Sequence, residues 1–186
     1  MRRFESCRGH PNRGGPTEAL KRLLLIRHAK SSWDDPALAD RERPLAPRGR
    51  KASERVAEHL AGSDAKLDLI LCSSARRARE TLDLLLPAFG DAEVLVEDGL
   101  YGASVPDLLE RLQHVADGVR SLAVIGHNPG IQDLTIELAR DGPHVERALK
   151  KFPTAAVAVL EFDTPWAELA SGGARLVSFT VPKDLG

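Results

Sequence analysis

The sequence predicts a three-layer α/β/α sandwich with a mostly parallel central sheet. The first observation behind this prediction is a set of three largely apolar runs, at Leu23–Ile26, Leu67–Leu71 and Leu122–Ile125. Such runs are typical of parallel strands that are buried on both faces. Its second basis is the helical patterning of the segments between these runs. Alternation of strands and helices favours a parallel sheet with helices packed on its two faces.

Two of the predicted helices are marked by the periodicity of their apolar residues and by residues typical of helix ends. Segment 48–61 places apolar residues at every fourth position, and Gly62 follows as a C-terminal stop. Ser104 and Asp107 have the spacing of a capping box and open a second helix with a leucine-rich face. Both segments are therefore predicted to be amphipathic helices that cover the sheet.

The second half of the chain continues the alternation. We expect Asn128 to cap another helix, with Pro129 in its first turn and segment 141–143 at its end. Segments 154–162 and 176–181 are rich in apolar and β-branched residues and are predicted to be strands, joined by a loop.

Length and composition favour one folded domain. The chain has 186 residues, which is enough for a core without metals or disulfides. Residues 1–20 are rich in Arg, Gly and Pro and are predicted to be a disordered basic tail, leaving residues 21–186 as the domain.

Charge and cysteine usage restrict the partners and the compartment. A formal net charge of −1 offers no global electrostatic basis for binding nucleic acid, and no apolar stretch reaches the roughly 20 residues of a membrane span. Cys7 and Cys72 lie far apart and form no zinc-binding pattern, so we expect no structural metal and a reducing, cytoplasmic location.

Cationic and polar residues follow each apolar run. Arg27–His28 follow the first, Ser73–Ser74 and an arginine-rich helix follow the second, and His127 follows the third. In open α/β sheets, ligands bind beyond the carboxyl ends of the strands. These residues are therefore expected to converge on one site.

The arginines after Ser74 favour an anionic ligand. Arg76, Arg77 and Arg79 crowd the start of a helix, where the macrodipole disfavours cations unless an anion is bound. Guanidinium groups suit the oxygens of phosphate. Two imidazoles at such a site, from His28 and His127, suggest a nucleophile and a stabilising group, because neutral histidine attacks phosphorus well.

Three motifs resemble those of the histidine phosphatase superfamily, which includes the phosphoglycerate mutases. Arg27–Asp34 resembles its Arg-His-Gly signature, Ser73–Thr81 its Ser-Ser…Arg-Ala-x-x-Thr segment, and Gly126–Ile131 its Gly-His…Ile segment. The Arg-His-Ala-Lys-Ser start and the stretch Asp40–Gly49 look most like the compact bacterial phosphohistidine phosphatase branch, SixA. The resemblance covers the chain from Lys21 onward and implies a phosphoglycerate mutase-like fold.

The resemblance also implies site residues. It places the nucleophile on His28, phosphate-binding arginines on Arg27 and Arg77, and the second histidine on His127. The expected substrate-binding positions are Ser31, Asp34 and Asn128. There are two departures from the family pattern: Ala29 replaces the usual glycine, and Asp34 replaces an asparagine that touches phosphate.

The proton donor has two candidates. Larger members carry a Glu or Asp after the third strand, and the nearest equivalents here are Glu97 and Asp98, although both also fit solvated loop carboxylates. Members of the SixA branch often lack a clear acid. An N–P bond to imidazole is more labile than an alkyl ester and demands less leaving-group protonation.

We therefore expect a phosphatase that works through a phosphohistidine on His28, without metal or organic cofactor. Its substrate would be a phosphorylated protein, such as a histidine-transfer domain, or a small phosphorylated metabolite. A non-catalytic phosphate-binding module is a third possibility. A cysteine phosphatase built on Cys72 is disfavoured, because that chemistry needs an arginine at position 78, where Ala78 stands.

Overall fold

The computed structural model describes residues 20–63 and 66–185 and contains one seven-stranded sheet in the order β3-β2-β4-β1-β6-β7-β5. The strands are β1 (Lys21–Arg27), β2 (Leu69–Ser73), β3 (Glu93–Glu97), β4 (Ser121–Gly126), β5 (Ala139–Asp141), β6 (Val157–Phe162) and β7 (Ala174–Thr180). Only β6 pairs antiparallel with its neighbours, β1 and β7. The remaining pairs are parallel, so the prediction of a mostly parallel sheet is confirmed.

Helices cover both faces of this sheet and make the three predicted layers. They are α1 (Pro47–Ala61), α2 (Arg76–Leu85), α3 (Val105–Gln113), α4 (Gly130–Leu138) and α5 (Val145–Lys150). Helices α1 and α2 pack their apolar residues into one core cluster. Helices α3, α4 and α5 pack into the other. The three-layer α/β/α sandwich is therefore confirmed.

Strand β1 shows why the apolar runs of the sequence are continuous. Leu23 and Leu25 belong to the cluster under α3–α5, whereas Leu24 and Ile26 belong to the cluster under α1 and α2. Successive side chains of a strand point to opposite faces. Because both faces are covered by helices, every position of this run is buried.

The start and the end of α4 differ from the sequence prediction. The helix begins at Gly130 with Pro129 at its N-cap, so the expected cap at Asn128 is wrong. The Asn128 amide instead donates to Gln132 and to the carbonyl of Phe152, which turns it away from the helix N–H groups. The helix ends at Leu138, before segment 141–143, because the next residues pair with β7 as strand β5.

Strand β3 and helix α5 were not predicted from the sequence. Strand β3 is an edge strand whose residues are exposed or half-buried, so it lacks the continuous apolar run of the central strands. Glu97 is its last residue, and the interpretation of Glu97 as a loop carboxylate is therefore wrong. The strand can be recognised only from its pairing with β2, and this pairing exists only in the folded protein.

Several expectations concern parts of the chain outside the described residues. Residues 1–19 of the proposed tail, together with Cys7, lie there, so the division into a tail and a domain stays a prediction. Within the described part, no helix is long and apolar enough to cross a bilayer. The cytoplasmic location likewise stays a prediction.

Helix α1 presses against the segment that follows β1. The backbone N–H of Ala46 donates to the Lys30 carbonyl at 2.8 Å, just before the helix begins. Gly49 is buried there, and a Cβ at this position would lie 2.2 Å from the Lys30 carbonyl oxygen. This contact therefore requires glycine, and it holds the backbone two residues beyond His28.

We expect Gly49→Ala to destabilise the protein, because the added methyl group must push α1 away from the Lys30 backbone. The expected loss in the free energy of unfolding is about 1–3 kcal/mol, the usual effect of overpacking a core. Urea denaturation measures it.

Gly62→Ala is the matched control for this change. Gly62 ends the same helix with a φ of −79°, and its Cβ would meet nothing nearer than 3.6 Å. Its free energy of unfolding should change by less than about 0.5 kcal/mol. Equal losses in the two variants would contradict the role given to the Gly49 contact.

Candidate active site

Three neighbouring strand ends bring the two predicted histidines together. Strands β1 and β4 are parallel and in register, with Arg27 opposite Gly126. The next residues, His28 and His127, therefore leave the sheet side by side, and their ring centroids are 4.9 Å apart. Strand β2 lies on the other side of β4 and brings Ser73 beside His127.

His28 is held as a neutral imidazole with one free nitrogen. Its Nδ1 lies 2.7 Å from the carbonyl oxygen of Ala29, and a carbonyl only accepts, so Nδ1 carries the proton. Nε2 then has the lone pair, and it accepts from Nε of Arg77 at 3.3 Å. Burial, together with the nearby His127, Arg77 and Arg27, lowers the pKa of His28 to about 3. At neutral pH this nitrogen is a nucleophile.

Arg77 lies between the two imidazoles and is 7% exposed. It is the second residue of α2, which starts directly beyond the end of β2. Besides contacting His28, its Nη2 lies 3.5 Å from Nδ1 of His127. Nη1 and Nη2 also donate to the backbone oxygen and the carboxylate of Asp40, at 2.5 and 2.8 Å. The guanidinium group is thus fixed in one orientation with its donors directed into the site.

His127 is also neutral. Its Nε2 lies 2.8 Å from Oγ of Ser73, and its Nδ1 faces the Arg77 donor. The tautomer that fits both contacts has its proton on Nε2 and donates it to Ser73. Burial and the charge of Arg77 lower the pKa of His127 to about 4. The edge of the Tyr101 ring packs against this imidazole, with centroids 5.4 Å apart.

Arg27 borders the site on the side of β6. Its Nη1 donates to the carbonyl of Phe152 at 2.7 Å, and burial lowers its pKa. Its Nε is buried without a hydrogen-bond partner among the described residues. Asn128 donates to the same Phe152 carbonyl at 3.2 Å, so Arg27 and Asn128 lie beside one another.

Asp40 is a site residue to which sequence reasoning assigned no role. Its Oδ2 accepts from Arg77 and from the Tyr101 hydroxyl, both at 2.8 Å, and its Oδ1 accepts from Arg43 at 3.0 Å. Burial alone would raise its pKa, but the hydrogen bonds from Tyr101, Arg77 and Arg43 hold the pKa at about 2. Asp40 is therefore an ionised partner of Arg77. The stretch Asp40–Gly49 was part of the resemblance, but nothing in it indicated this contact.

Two of the expected substrate-binding residues form no hydrogen bond to the imidazoles within the described residues. Ser31 is buried, and its Oγ accepts from Nη2 of Arg43 at 2.8 Å. Asp34 is exposed, and its carboxylate has no hydrogen-bond or ion-pair partner within residues 20–63 and 66–185. Arg43 itself is buried against the ring of Trp33. Asn128 lies next to Arg27, and the substrate-binding roles of Ser31 and Asp34 stay predictions.

Thr81 joins α2 to the segment that follows β1. Its Oγ1 accepts from the backbone N–H of Ala29 at 3.0 Å and donates to the carbonyl of Arg77 at 2.6 Å. Ala29, the departure from the family glycine, is buried and is not among the described residues with positive φ. The alanine is therefore accommodated without backbone strain.

Both candidate proton donors are bound by arginines outside the imidazole pair. Arg111 holds Glu97 through contacts of 2.7–3.0 Å, and Arg41 pairs with Asp98. Within the described part of the chain, neither carboxylate hydrogen-bonds to His28, Arg77 or His127. The structure thus leaves Glu97 and Asp98 at the edge of the site.

Cysteine chemistry does not fit this site. Cys72 is buried in β2, and burial raises the pKa of its thiol to about 12, so no thiolate forms at neutral pH. Within the described residues, no group of His, Cys, Asp or Glu side chains is arranged to hold a metal ion.

Comparisons with known proteins agree with this geometry. The family model of the histidine phosphatase superfamily (branch 1) matches residues 23–117. An uncharacterised protein of Mycobacterium tuberculosis is 40% identical over 85% of this chain and all of its own length. Phosphohistidine phosphatase SixA of Escherichia coli is 31% identical over 76% of this chain and 85% of its own.

A solved structure gives the same result. A protein classed as SixA from Nakamurella multipartitia superposes with a TM-score of 0.77 and 31% identity, over 88% of this chain and 97% of that chain. Arg27, His28 and Arg77 lie within the residues that the family model matches, and His127 lies beyond them. The chain therefore belongs to the histidine phosphatase superfamily, in the branch that contains SixA, and is a phosphatase.

Proposed function

We propose that this phosphatase removes the phosphoryl group from phosphohistidine in a protein, with His28 as the nucleophile. The observation that carries the proposal is the contact of 3.3 Å between Nε2 of neutral His28 and the fixed guanidinium group of Arg77. It places a lone pair and a phosphate-binding cation at one point, with a second imidazole 4.9 Å away. This is the arrangement that in-line phosphoryl transfer to histidine needs.

In the first step, Arg77, Arg27 and His127 bind the equatorial oxygens of the phosphoryl group. Nε2 of His28 attacks phosphorus as the bond to the leaving nitrogen breaks, which leaves the phosphoryl group on His28. The developing negative charge is stabilised by donors that are already oriented, since Arg77 is held on its far side by Asp40. The negative charge of the ligand also favours protonation of His127, which would then donate from Nδ1.

The chemistry of the leaving group explains why Arg77, Arg27, His127 and His28 can act without a general acid. Asp40 is ionised, and within the described residues Glu97 and Asp98 pair with arginines rather than with His28 or His127, so no acid contacts the nucleophile. A phosphorylated imidazole leaves as neutral imidazole when its other nitrogen carries a proton, whereas an alkyl ester leaves as a strongly basic alkoxide. The site therefore favours N–P bonds over alkyl phosphate esters.

In the second step, water attacks the phosphorus of phospho-His28. The P–Nε2 bond breaks, inorganic phosphate leaves, and neutral His28 is restored. The same cations stabilise this transition state. The relative from Escherichia coli is a phosphohistidine phosphatase, which supports the same substrate class here.

The rim of the site supports a protein substrate. The connection between β1 and α1 is the longest one beside the imidazoles, and it packs inward through Asp40. Its Trp33 side chain is 71% exposed and lies against Arg43, which binds Asp40. Tyr101, which contacts His127, is 37% exposed. Exposed aromatic side chains at the border of a site are typical of surfaces that meet another protein.

The substrate class is tested with a matched panel. We expect hydrolysis of a phosphohistidine protein and of an aryl phosphate, with kcat/KM at least about 10²-fold above that for a phosphoserine peptide or a sugar phosphate, since a positioned acid contributes roughly that much. His28→Ala should abolish turnover while the far-ultraviolet circular dichroism stays the same. Equal activity on alkyl phosphates, or an active His28→Ala, would overturn the proposal.

Asp40 is proposed as a positioning residue that acts through Arg77. Asp40→Asn should lower kcat about 10- to 100-fold, because a charge-assisted hydrogen bond contributes about 1.5–3 kcal/mol. KM should fall or stay constant, since removal of a carboxylate beside the anion site relieves repulsion. Steady-state kinetics on the aryl phosphate measures both constants.

The control removes one exposed carboxylate elsewhere. Asp91 is exposed before β3, at the edge of the sheet away from the imidazoles, and Asp91→Asn should leave both constants unchanged. If Asp40→Asn raised KM at constant kcat, Asp40 would be binding substrate rather than orienting Arg77.

The buried imidazoles also predict a pH dependence of stability. The folded-state pKa of His28 is about 3, below the roughly 6.5 of an unfolded histidine, so protons bind preferentially to the unfolded chain. Stability present above pH 6.5 is therefore lost as the pH falls, by about 2 kcal/mol for this histidine between pH 7 and pH 5. His28→Gln should lose about 2 kcal/mol less than the wild type over this interval in urea denaturation. Equal losses would mean that His28 is protonated in the folded protein.

A further inference from the structure

A cavity of about 520 Å³ opens beside Arg27, and we call it the basic pocket. Five cationic side chains line it: Arg27, Lys30, Arg48, Lys151 and Lys183. No aspartate or glutamate lines it. The walls are completed by apolar residues of α1 and of the segments before β6 and after β7.

Four of the five cations of the basic pocket form no ion pair with any described residue. Among residues 20–63 and 66–185, the side chains of Lys30, Arg48, Lys151 and Lys183 form no ion pair. Several arginines outside the basic pocket are paired with carboxylates, for example Arg111 with Glu97. The basic pocket is thus a concentration of positive charge that folding does not use.

The geometry of the basic pocket makes this charge effective. Charges on an open surface are screened by water, whereas a concave wall focuses their field. Like charges around one cavity also repel one another, which costs stability in the free protein. An anionic ligand would remove that cost, so the cluster is suited to binding rather than to folding.

The basic pocket is continuous with the catalytic residues. Arg27 lines it and directly precedes His28, and Lys30 follows two residues later. The Phe152 carbonyl anchors Arg27 at this border. A molecule whose phosphoryl group is bound at His28 therefore has its neighbouring groups next to the basic pocket.

The shape of the basic pocket favours a polypeptide over a small anion. A second cavity of about 300 Å³ adjoins it and shares Lys151 and Lys183, with Arg147 and Lys150 as further cations. Its Arg147 pairs with Asp184. Phe179 and Val181 line its apolar side. Two cavities in series with cations and apolar walls suit an extended chain that carries acidic and aliphatic side chains.

We propose that the basic pocket binds an acidic segment of the protein substrate next to its phosphohistidine. The proposal rests on the proposed function for the phosphohistidine and adds the sequence that surrounds it. In this proposal the basic pocket selects protein substrates whose phosphorylated histidine is accompanied by aspartate or glutamate. Its cations take no part in the chemical step.

The test compares two phosphohistidine peptides of the same length, one with glutamates flanking the phosphohistidine and one with glutamines. At low salt, kcat/KM for the acidic peptide should exceed that for the neutral peptide by about tenfold or more, and the ratio should shrink at high salt. The triple variant R48Q/K151Q/K183Q should reduce the ratio to about one. Its hydrolysis of aryl phosphate should equal that of the wild type.

The matched control is the triple variant K66Q/R140Q/R175Q. Lys66 precedes β2, Arg140 lies in β5, and Arg175 lies near the start of β7, so this variant loses the same charge away from the basic pocket. It should keep the preference for the acidic peptide. Loss of the preference in both triple variants would show a general effect of net charge and would overturn the proposal, as would its persistence in R48Q/K151Q/K183Q.

A binding assay separates this proposal from the proposed function. An unphosphorylated glutamate-rich peptide should inhibit aryl phosphate hydrolysis by the wild type, and R48Q/K151Q/K183Q should weaken that inhibition about tenfold. If no phosphohistidine peptide is hydrolysed, the proposed function fails. The inhibition measurement still tests whether the basic pocket binds an acidic peptide. Inhibition by pyrophosphate that R48Q/K151Q/K183Q weakens, with no inhibition by the peptide, would assign the basic pocket to a small anion and overturn the proposal.

Discussion

The position of one guanidinium group determines the arrangement of the site. Arg77 contacts His28, faces His127 and is held from behind by the carboxylate and the backbone oxygen of Asp40. Its own backbone carbonyl accepts from Thr81, which also binds the backbone beside His28. The cation and the nucleophile are therefore parts of one hydrogen-bonded unit, and a shift of α2 or of the segment after β1 would separate them.

This unit also sets the protonation of the imidazoles. Burial disfavours charge on both rings, and Arg77 adds electrostatic repulsion against a further proton, so both remain neutral. A neutral His28 with its proton on Nδ1 has Nε2 available for attack. Asp40 carries the opposite charge and compensates Arg77 while no substrate is bound, so Arg77 is not left as an unpaired buried cation. The basic pocket beside Arg27 has no such compensation among the described residues, which is why we assign it to a ligand.

The sequence predicted the position of a residue only where a local pattern marks its place in the fold. Residues that end the buried strands β1 and β4, or start the helix after β2, could be assigned to one edge, because parallel strands share it. Asp40 could not, since it reaches Arg77 from a connection whose path has no periodicity. Asn128 was misassigned as a cap because its amide is directed by Phe152, a residue distant in the chain. Strand β3 was missed because an edge strand need not be apolar.

The sequence by itself determined the layer order, the central strands and the convergence of four chemically specific residues. The reason is that continuous apolar runs indicate buried strands, and their alternation with helices indicates that these strands are parallel. Only the tertiary structure decided which partners complete them. It placed Asp40 behind Arg77, paired Glu97 and Asp98 with arginines, and brought the unpaired cations of the basic pocket together from four separate segments. Such contacts depend on how loops pack in space, and the sequence encodes that packing only through the complete fold.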